Sequence, residues 1–462
     1  MTSLEEQIRK ILAEEMGKGA VTSVSTRGNK GIFTTVNDAV AAAKAAQEVY
    51  VDCSIETRNK VVEAIKAGFA DSLDYIAEEI VKETGMGTKE AKVQKLQNAL
   101  YNTPGTEDLT PEVQTGDGGL IMYEYAPFGV LGAVTPSTNP VETVIANAIM
   151  MLAGGNTVYF SVHPGAKVIS RWAVEKINEF IYDAVKLENL VVTIETPSIE
   201  AAQEMMKHPD IAALVVTGGP GVVHQAMTSG KKAIGAGAGN PPAMVDETAN
   251  IALAAHNIVD SAAFDNNILC TAEKEIVAVN SIKDELIRLM QQEGAFLVTD
   301  PKDIETLATI TLRENGTPSR KFIGKDASFI LDEAHISYTG KPKLIILEAS
   351  KDHPLVVKEM LMPIVPVDDM LAIAVEVEGG NHHTASIHSE YLPNINKAAH
   401  RINTSIFVVN GPTYSGTGVG FTGASALTIS TPTGEGTTTA KTFTRRRRLN
   451  SPEGFSMRVW RD

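Results

Sequence analysis

GVLGAV (129–134), NTVYFSV (156–162), LVVTIE (190–195) and AALVVTGG (212–219) are the stretches that decide the fold. Each is short and almost unbroken in apolar character, which suits a strand buried on both faces. Between them lie segments with helical spacing at 141–153, near 167–185 and near 198–206. Strands that alternate with helices build a mostly parallel sheet. The alternation resumes after residue 250. This pattern gives an α/β fold, with a second α/β unit behind the first. Val141 to Phe160 is the most membrane-like stretch, but it carries Glu142, Asn147, Asn156 and the pair Gly154–Gly155. It reads as a buried helix running into a strand rather than a membrane span.

Upstream, Asn37 to Glu83 is helical in pattern, first in NDAVAAAKAAQEVY and then in one long stretch through VVEAIKAGFADSLDYIAEEIVKETG. The N-terminus reads as a separate unit. Ser3 with Glu6 gives a capping box, and Leu4, Ile8, Ile11, Leu12 and Met16 come after it at helical spacing. Residues 1–18 are expected to form an amphipathic docking helix and residues 19–31, rich in small and glycine residues, a flexible linker. A helix of that length is marginal alone in water and needs a partner for its apolar stripe.

Composition excludes several classes. The 462 residues are 43% hydrophobic and 21% charged, so there is apolar mass for sizeable cores. The net charge of −15 disfavours a nucleic-acid surface. Two cysteines, Cys53 and Cys270, cannot build a disulfide framework or a four-cysteine zinc site, and a reducing cytoplasmic setting fits them. No secretory signal is visible.

Cys270 stands in FDNNILCTAEKEIVAV, ahead of an apolar strand. Most lone cysteines are inert core residues, and Cys53 in VDCSIETR reads that way. Two features set Cys270 apart. The preceding Asp265-Asn266-Asn267 is turn-prone and suits an exposed loop. An asparagine-bearing loop, TPSTNP (135–140), closes a strand far upstream. A thiolate that attacks a carbonyl makes an oxyanion, and the Asn139 amide with the cysteine's own N–H could hold it. TGGPGVV (217–223), between a strand and a helix, is placed like a phosphate-binding turn, although it lacks the G-x-G-x-x-G spacing. His382, His383 and His388 have no acidic motif beside them, so no metal site is expected. The run Arg445 to Arg448 reads as a solvated or subunit-interface segment.

The order of motifs resembles the aldehyde dehydrogenase superfamily, and within it the CoA-acylating branch of bacterial microcompartments. The resemblance is carried by TPSTNP (135–140), MMLAGGNTVYFSVHPGA (150–166), VVTGGPGVV (215–223), GAGAGNPPAMVD (235–246), FDNNILCTAEKEI (264–276), KEMLMPIVPV (358–367) and RINTSIFVVNGP (401–412). It implies a Rossmann-type dinucleotide-binding domain at 32–240 with arm strands near 113–125, a catalytic domain at 241–428 and a C-terminal oligomerisation arm at 429–462. It implies Cys270 as nucleophile and Asn139 as oxyanion donor. His163 and Pro164 would lie at the adenosine ribose, Thr217, Gly218 and Gly219 at the pyrophosphate, and Glu359 at the nicotinamide ribose. The cofactors implied are NAD, with NADP still open, and coenzyme A as co-substrate. A short-chain aldehyde, propionaldehyde ahead of acetaldehyde, would be the substrate. The stretch with His382, His383 and His388 also matches this branch, which would place it near the active-site mouth. The N-terminal helix would be an encapsulation peptide docking on a shell protein or other cargo. The assembly would be a homodimer or homotetramer, cytoplasmic and inside a microcompartment.

Two departures from the wider family are informative. The hydrolytic members carry a glutamate in E-L-G-G-K, whereas this chain has GAGAGN with Ala236 at that position. Without that base the acyl-enzyme should resist water, while a thiol needs less help. Ala166 stands where many NAD-dependent relatives have a ribose-binding glutamate, which leaves the NAD-versus-NADP choice open. Hydrolytic oxidation to the free acid and a non-enzymatic adaptor are the competing readings.

Overall fold

The computed structural model describes residues 29–368 and 373–452. The N-terminal docking helix and most of its linker lie outside these residues. All four apolar runs become strands. The first sheet has six strands, in the spatial order Ile32–Phe33, Val191–Ile194, Thr157–Ser161, Val130–Val134, Ala213–Thr217, Lys232–Ala236. Every pairing in it is parallel. The chain builds to one side from Val130–Val134, then crosses back to Ala213–Thr217 on the other. That reversal sets the loop after Val134 beside the loop after Thr217. Such a switch point is where open parallel sheets leave a crevice for ligands.

The Pro140–Ala153 helix starts in that crevice and is buried along its whole length. Apart from Glu142, Thr143 and Asn147 its residues are apolar around the whole circumference, so it packs as core. The long helical stretch upstream is divided by a tight turn at Ala70–Ser72 into Ile55–Phe69 and Leu73–Thr84. Asp71 and Ser72 have short polar side chains that compete for the backbone, which weakens a helix there. Leu73–Thr84 then stops at Gly85 in the left-handed conformation. Its successor, Lys89–Tyr101, is capped by Thr88, whose side chain accepts from the Ala91 N–H.

The second sheet has seven parallel strands, in the order Ala295–Val298, Leu344–Glu348, Ile364–Asp368, Glu275–Ala278, Pro242–Val245, Thr384–His388, Ile406–Val409. The chain passes from one sheet to the other between Ala236 and Pro242. Each sheet carries its own apolar core. A third, antiparallel sheet joins Glu112–Gly116, Gly119–Pro127 and Thr444–Ser451. Arg445 to Arg448 lie exposed on its last strand. Among them, Arg446 stacks 3.7 Å over the Tyr123 ring. Among the described residues no helix is long and apolar enough to cross a membrane.

Candidate active site

A cleft of about 460 Å³ runs between the two parallel sheets. Its walls have opposite polarity. The first sheet contributes residues just past the carboxyl ends of its strands: Pro136 to Asn139, His163 with Gly165, and Thr217 to Gly219. The second sheet contributes residues ahead of the amino ends of its strands: Cys270 before Glu275, Glu359 before Ile364 and His383 before Thr384.

Cys270 is half-buried and lines this cleft. The residues that aim it do not form the exposed loop expected from sequence. Asp265, Asn266 and Asn267 are all buried. All three hold left-handed backbone, with φ of 50°, 55° and 62°. Left-handed backbone costs ~1–3 kcal/mol per residue for most side chains, and Asn and Asp tolerate it best. Here each side chain is also anchored. The Asn267 amide donates to Ala262 O at 2.8 Å and Glu273 O at 3.0 Å. That of Asn266 donates to Gly324 O at 3.0 Å and Asp326 at 2.8 Å. Asp265 accepts from Thr88 N–H at 2.9 Å. Burial is tolerated because partners from distant segments satisfy these polar side chains.

Burial pushes the Cys270 thiol up to about 12, and the nearby Glu359 charge adds to it; Lys274, the cysteine's own N–H and Lys95 oppose the rise. The resting residue is therefore a thiol. Lys274 sits four residues on, fully buried. Its ammonium donates to Asn267 O at 2.8 Å, Asn267 Oδ1 at 2.6 Å and Leu269 O at 2.9 Å. Burial lowers its pKa to about 8 against the pull of Glu359, Cys270, Glu273 and Glu275. It remains a cation near neutrality and favours negative charge at Cys270 and Glu359.

Asn139 caps the Pro140–Ala153 helix in position, yet its side chain makes no capping bond. Its Oδ1 instead accepts from Lys95 at 2.5 Å. Its Nδ2 has one long contact, 3.5 Å to Thr138 Oγ1, and the residue lines the cleft. His383 is buried and kept neutral: burial lowers its pKa to about 4, helped by Lys274. Its Nδ1 meets Thr384 Oγ1 at 2.9 Å, while Nε2 has no partner among the described residues. Gly239 lets these groups converge, since a Cβ there would lie 2.5 Å from Cys270 O and 2.9 Å from His383 Cγ.

The first wall has features that fit a dinucleotide. The Pro220–Met227 helix opens at Gly219 with no side-chain cap, and a Cβ on Gly219 would meet only open space. An open helix N-terminus of this kind suits a phosphate. His163 lines the cleft with Nδ1 accepting from Gly165 N–H at 3.0 Å, whereas Pro164 begins the next tight turn and is not part of the lining. Glu83, from Leu73–Thr84, also lines the cleft. Its two carboxylate oxygens accept from Val168 N–H at 2.8 Å and Ile169 N–H at 2.9 Å. A carboxylate thus stands beside Ala166, delivered from a distant helix.

Glu359 is on the second wall, where its Oε1 accepts from Gly239 N–H at 3.1 Å. Burial raises its pKa to about 7 despite Lys274. The Ala236 position holds no carboxylate, but a carboxyl does line the cleft nearby. Of the other histidines, His382 is exposed and His388 is buried, and neither lines the cleft. Cys53 is half-buried and packs at the edge of the first core. Sequence patterns alone do not assign Lys95, Lys274 or Glu83 to the site. Only Lys274, four residues past Cys270, lies close enough along the chain to carry a local signal.

A doubly wound sheet that presents its switch point to a cysteine on a second parallel sheet is an aldehyde dehydrogenase architecture. The chain belongs to the aldehyde dehydrogenase family, which it matches over residues 20–445. It is 48% identical to the CoA-propanoylating propanal dehydrogenase of Salmonella typhimurium, with 99% of each chain covered. The propionaldehyde dehydrogenase of Rhodopseudomonas palustris, solved with bound CoA and an acylated cysteine, is 46% identical and superimposes with a TM-score of 0.89, covering 91% of this chain and 98% of that one. The propionaldehyde dehydrogenase of the Clostridium phytofermentans fucose utilisation microcompartment is 42% identical, with a TM-score of 0.88 and coverage of 91% and 98%.

Proposed function

We propose that the protein oxidises a short-chain aldehyde, propanal favoured, to the acyl-CoA through a thioester on Cys270. The observation that carries this reading is the meeting of Cys270, Asn139 and an unpaired His383 Nε2 in one cleft, with Ala236 where a hydrolytic base would stand. The Cys270 thiol gives up its proton to solvent in the cleft, and the thiolate Sγ adds to the carbonyl carbon. The Asn139 amide and the Cys270 N–H hold the oxyanion. Lys274 lowers the cost of negative charge at this end of the cleft. NAD+, when bound, accepts the hydride that leaves as the thioester forms. Thr217, Gly218, Gly219 and His163 would bind it, and Glu359 would orient its nicotinamide end. The thiol of CoA then attacks the thioester carbonyl, the acyl–Sγ bond breaks and Cys270 leaves as its thiolate, and neutral His383 is suited to take the CoA thiol proton.

Preference for NAD+ over NADP+ is supported by Glu83, whose charge stands at the helix N-terminus where a 2′-phosphate would seek the same N–H groups. Acetaldehyde is the nearest competing substrate, because one methylene is worth only ~1–3 kcal/mol in a pocket. A place as microcompartment cargo, docked by residues 3–16, is supported by the source of the C. phytofermentans relative. The exposed outer strands of the three-stranded sheet, Glu112–Gly116 and Thr444–Ser451, suit self-association as a dimer or a dimer of dimers.

The test is NADH formation from propanal and NAD+ with and without CoA. Sustained turnover only with CoA is expected. Equal turnover without CoA would mean that water deacylates the enzyme, with Glu359 the carboxyl placed to help.

A further inference from the structure

Four charged side chains are completely buried behind the oxyanion loop: Lys92, Lys95, Glu142 and Asp265. Lys92 and Lys95 lie three residues apart on one face of the Lys89–Tyr101 helix. Glu142 is in the first turn of the Pro140–Ala153 helix, and Asp265 opens the left-handed turn that aims Cys270. The Lys92 ammonium lies 3.0 Å from Asp265 and 3.8 Å from Glu142, and it donates to Thr138 O at 2.6 Å. The Lys95 ammonium contacts Asp265 and lies 3.4 Å from Glu142. Two positive and two negative groups leave no net charge, the condition under which such groups can be buried at all.

Neutralisation does not explain the remaining contact, Lys95 Nζ to Asn139 Oδ1 at 2.5 Å. The two ends of an asparagine amide are nearly equal in size, so partners decide which way it turns. An ammonium has three donors and no acceptor. It therefore selects Oδ1 and leaves Nδ2 for the cleft. There is a competing state: an N-cap asparagine ordinarily turns Oδ1 onto the N–H groups of its own first turn. In this structure that capping bond is absent.

We propose that Lys95 is a positioning residue for the oxyanion donor: its ammonium holds the Asn139 amide with Oδ1 drawn back and Nδ2 presented to the cleft. Without it the amide is free to cap its helix and the donor leaves the site. The assignment rests on the proposed role of Asn139.

The test is a double-mutant cycle between Lys95→Met and Asn139→Ala, read as kcat for propanal and as KM for NAD+ and CoA. Asn139→Ala is expected to lower kcat ~10²–10³-fold, the usual cost of one oxyanion donor. Lys95→Met is expected to lower kcat ~10-fold or more, with both KM values within ~2-fold of wild type. In the Asn139→Ala background, Lys95→Met should then cost no more than ~2-fold, because the amide it orients is gone. Should Lys95→Met fail to fold, the charge-balanced Lys95→Met/Glu142→Gln variant keeps the Lys92–Asp265 pair and should show the same kcat loss. A folded variant with wild-type kcat, alongside a crippled Asn139→Ala, would overturn the role of Lys95 and leave the oxyanion assignment standing. Full additivity would also overturn it, marking the lysine as structural only. Wild-type turnover in Asn139→Ala would instead remove the oxyanion assignment and the Lys95 proposal with it.

Discussion

The two walls of the cleft solve different problems. The wall from the first sheet is built of open turns at the carboxyl ends of strands, with glycines and backbone N–H groups facing outward. It is suited to hold a large anionic ligand and let it go. The wall from the second sheet is built at the amino ends of strands and carries buried ionisable groups: Lys274 and Glu359 act in opposite directions on a protonated Cys270. Binding needs shape and unpaired donors. Covalent chemistry needs a low-dielectric pocket whose charges are already fixed before the carbonyl arrives. The two halves should therefore fail separately.

The sharpest separation comes from Cys270→Ala. Turnover should fall at least ~10⁴-fold, as when a nucleophile is removed from other covalent enzymes. NADH binding, followed by fluorescence titration, should stay within ~2-fold because the first wall is untouched. Loss of both together would mean that the walls are one cooperative unit.

A second break is in pH. Because the thiol is pushed up to about 12, its thiolate fraction should climb tenfold per pH unit across the working range. Iodoacetamide alkylation of Cys270 in the free enzyme should track that slope with no plateau below pH ~9. A plateau near pH 7 would show that Lys274 and the backbone N–H outweigh burial. Glu359, at about 7, adds a smaller inflection: it gains charge above that pH and there disfavours the thiolate.

The smallest effect belongs to the first wall. Glu83→Gln removes a charge but keeps an oxygen for the helix N–H groups. The ratio of kcat/KM for NADP+ to that for NAD+ should rise ~3- to 10-fold, from relieved repulsion at the 2′-phosphate. The kcat with NAD+ should not move. An unchanged ratio would place the 2′ position of the cofactor away from Glu83.

Much of this molecule is legible along the chain. Four apolar runs separated by helical segments give a parallel sheet because strand and helix periodicity are local properties. TPSTNP and TGGPGVV lie next to their strands, so strand position carries them to the switch point. Cys270 is marked by its own neighbours. The same neighbours misled in one respect: Asp265-Asn266-Asn267 reads as exposed, and partners from distant segments bury it. Glu83 and Val168 are 85 residues apart, and the Lys95–Asn139 contact spans 44. No local pattern encodes such pairs.

Local pattern in the chain is enough for two parallel α/β units and for marking Cys270, TPSTNP and TGGPGVV as candidate site segments. Each depends on interactions within a few residues. The packing of distant segments sets which way the Asn139 amide faces, keeps Cys270 a thiol and His383 neutral, and puts a carboxylate beside Ala166. These depend on which charges and donors are brought together in a medium that water does not screen, and that is a property of the packed chain.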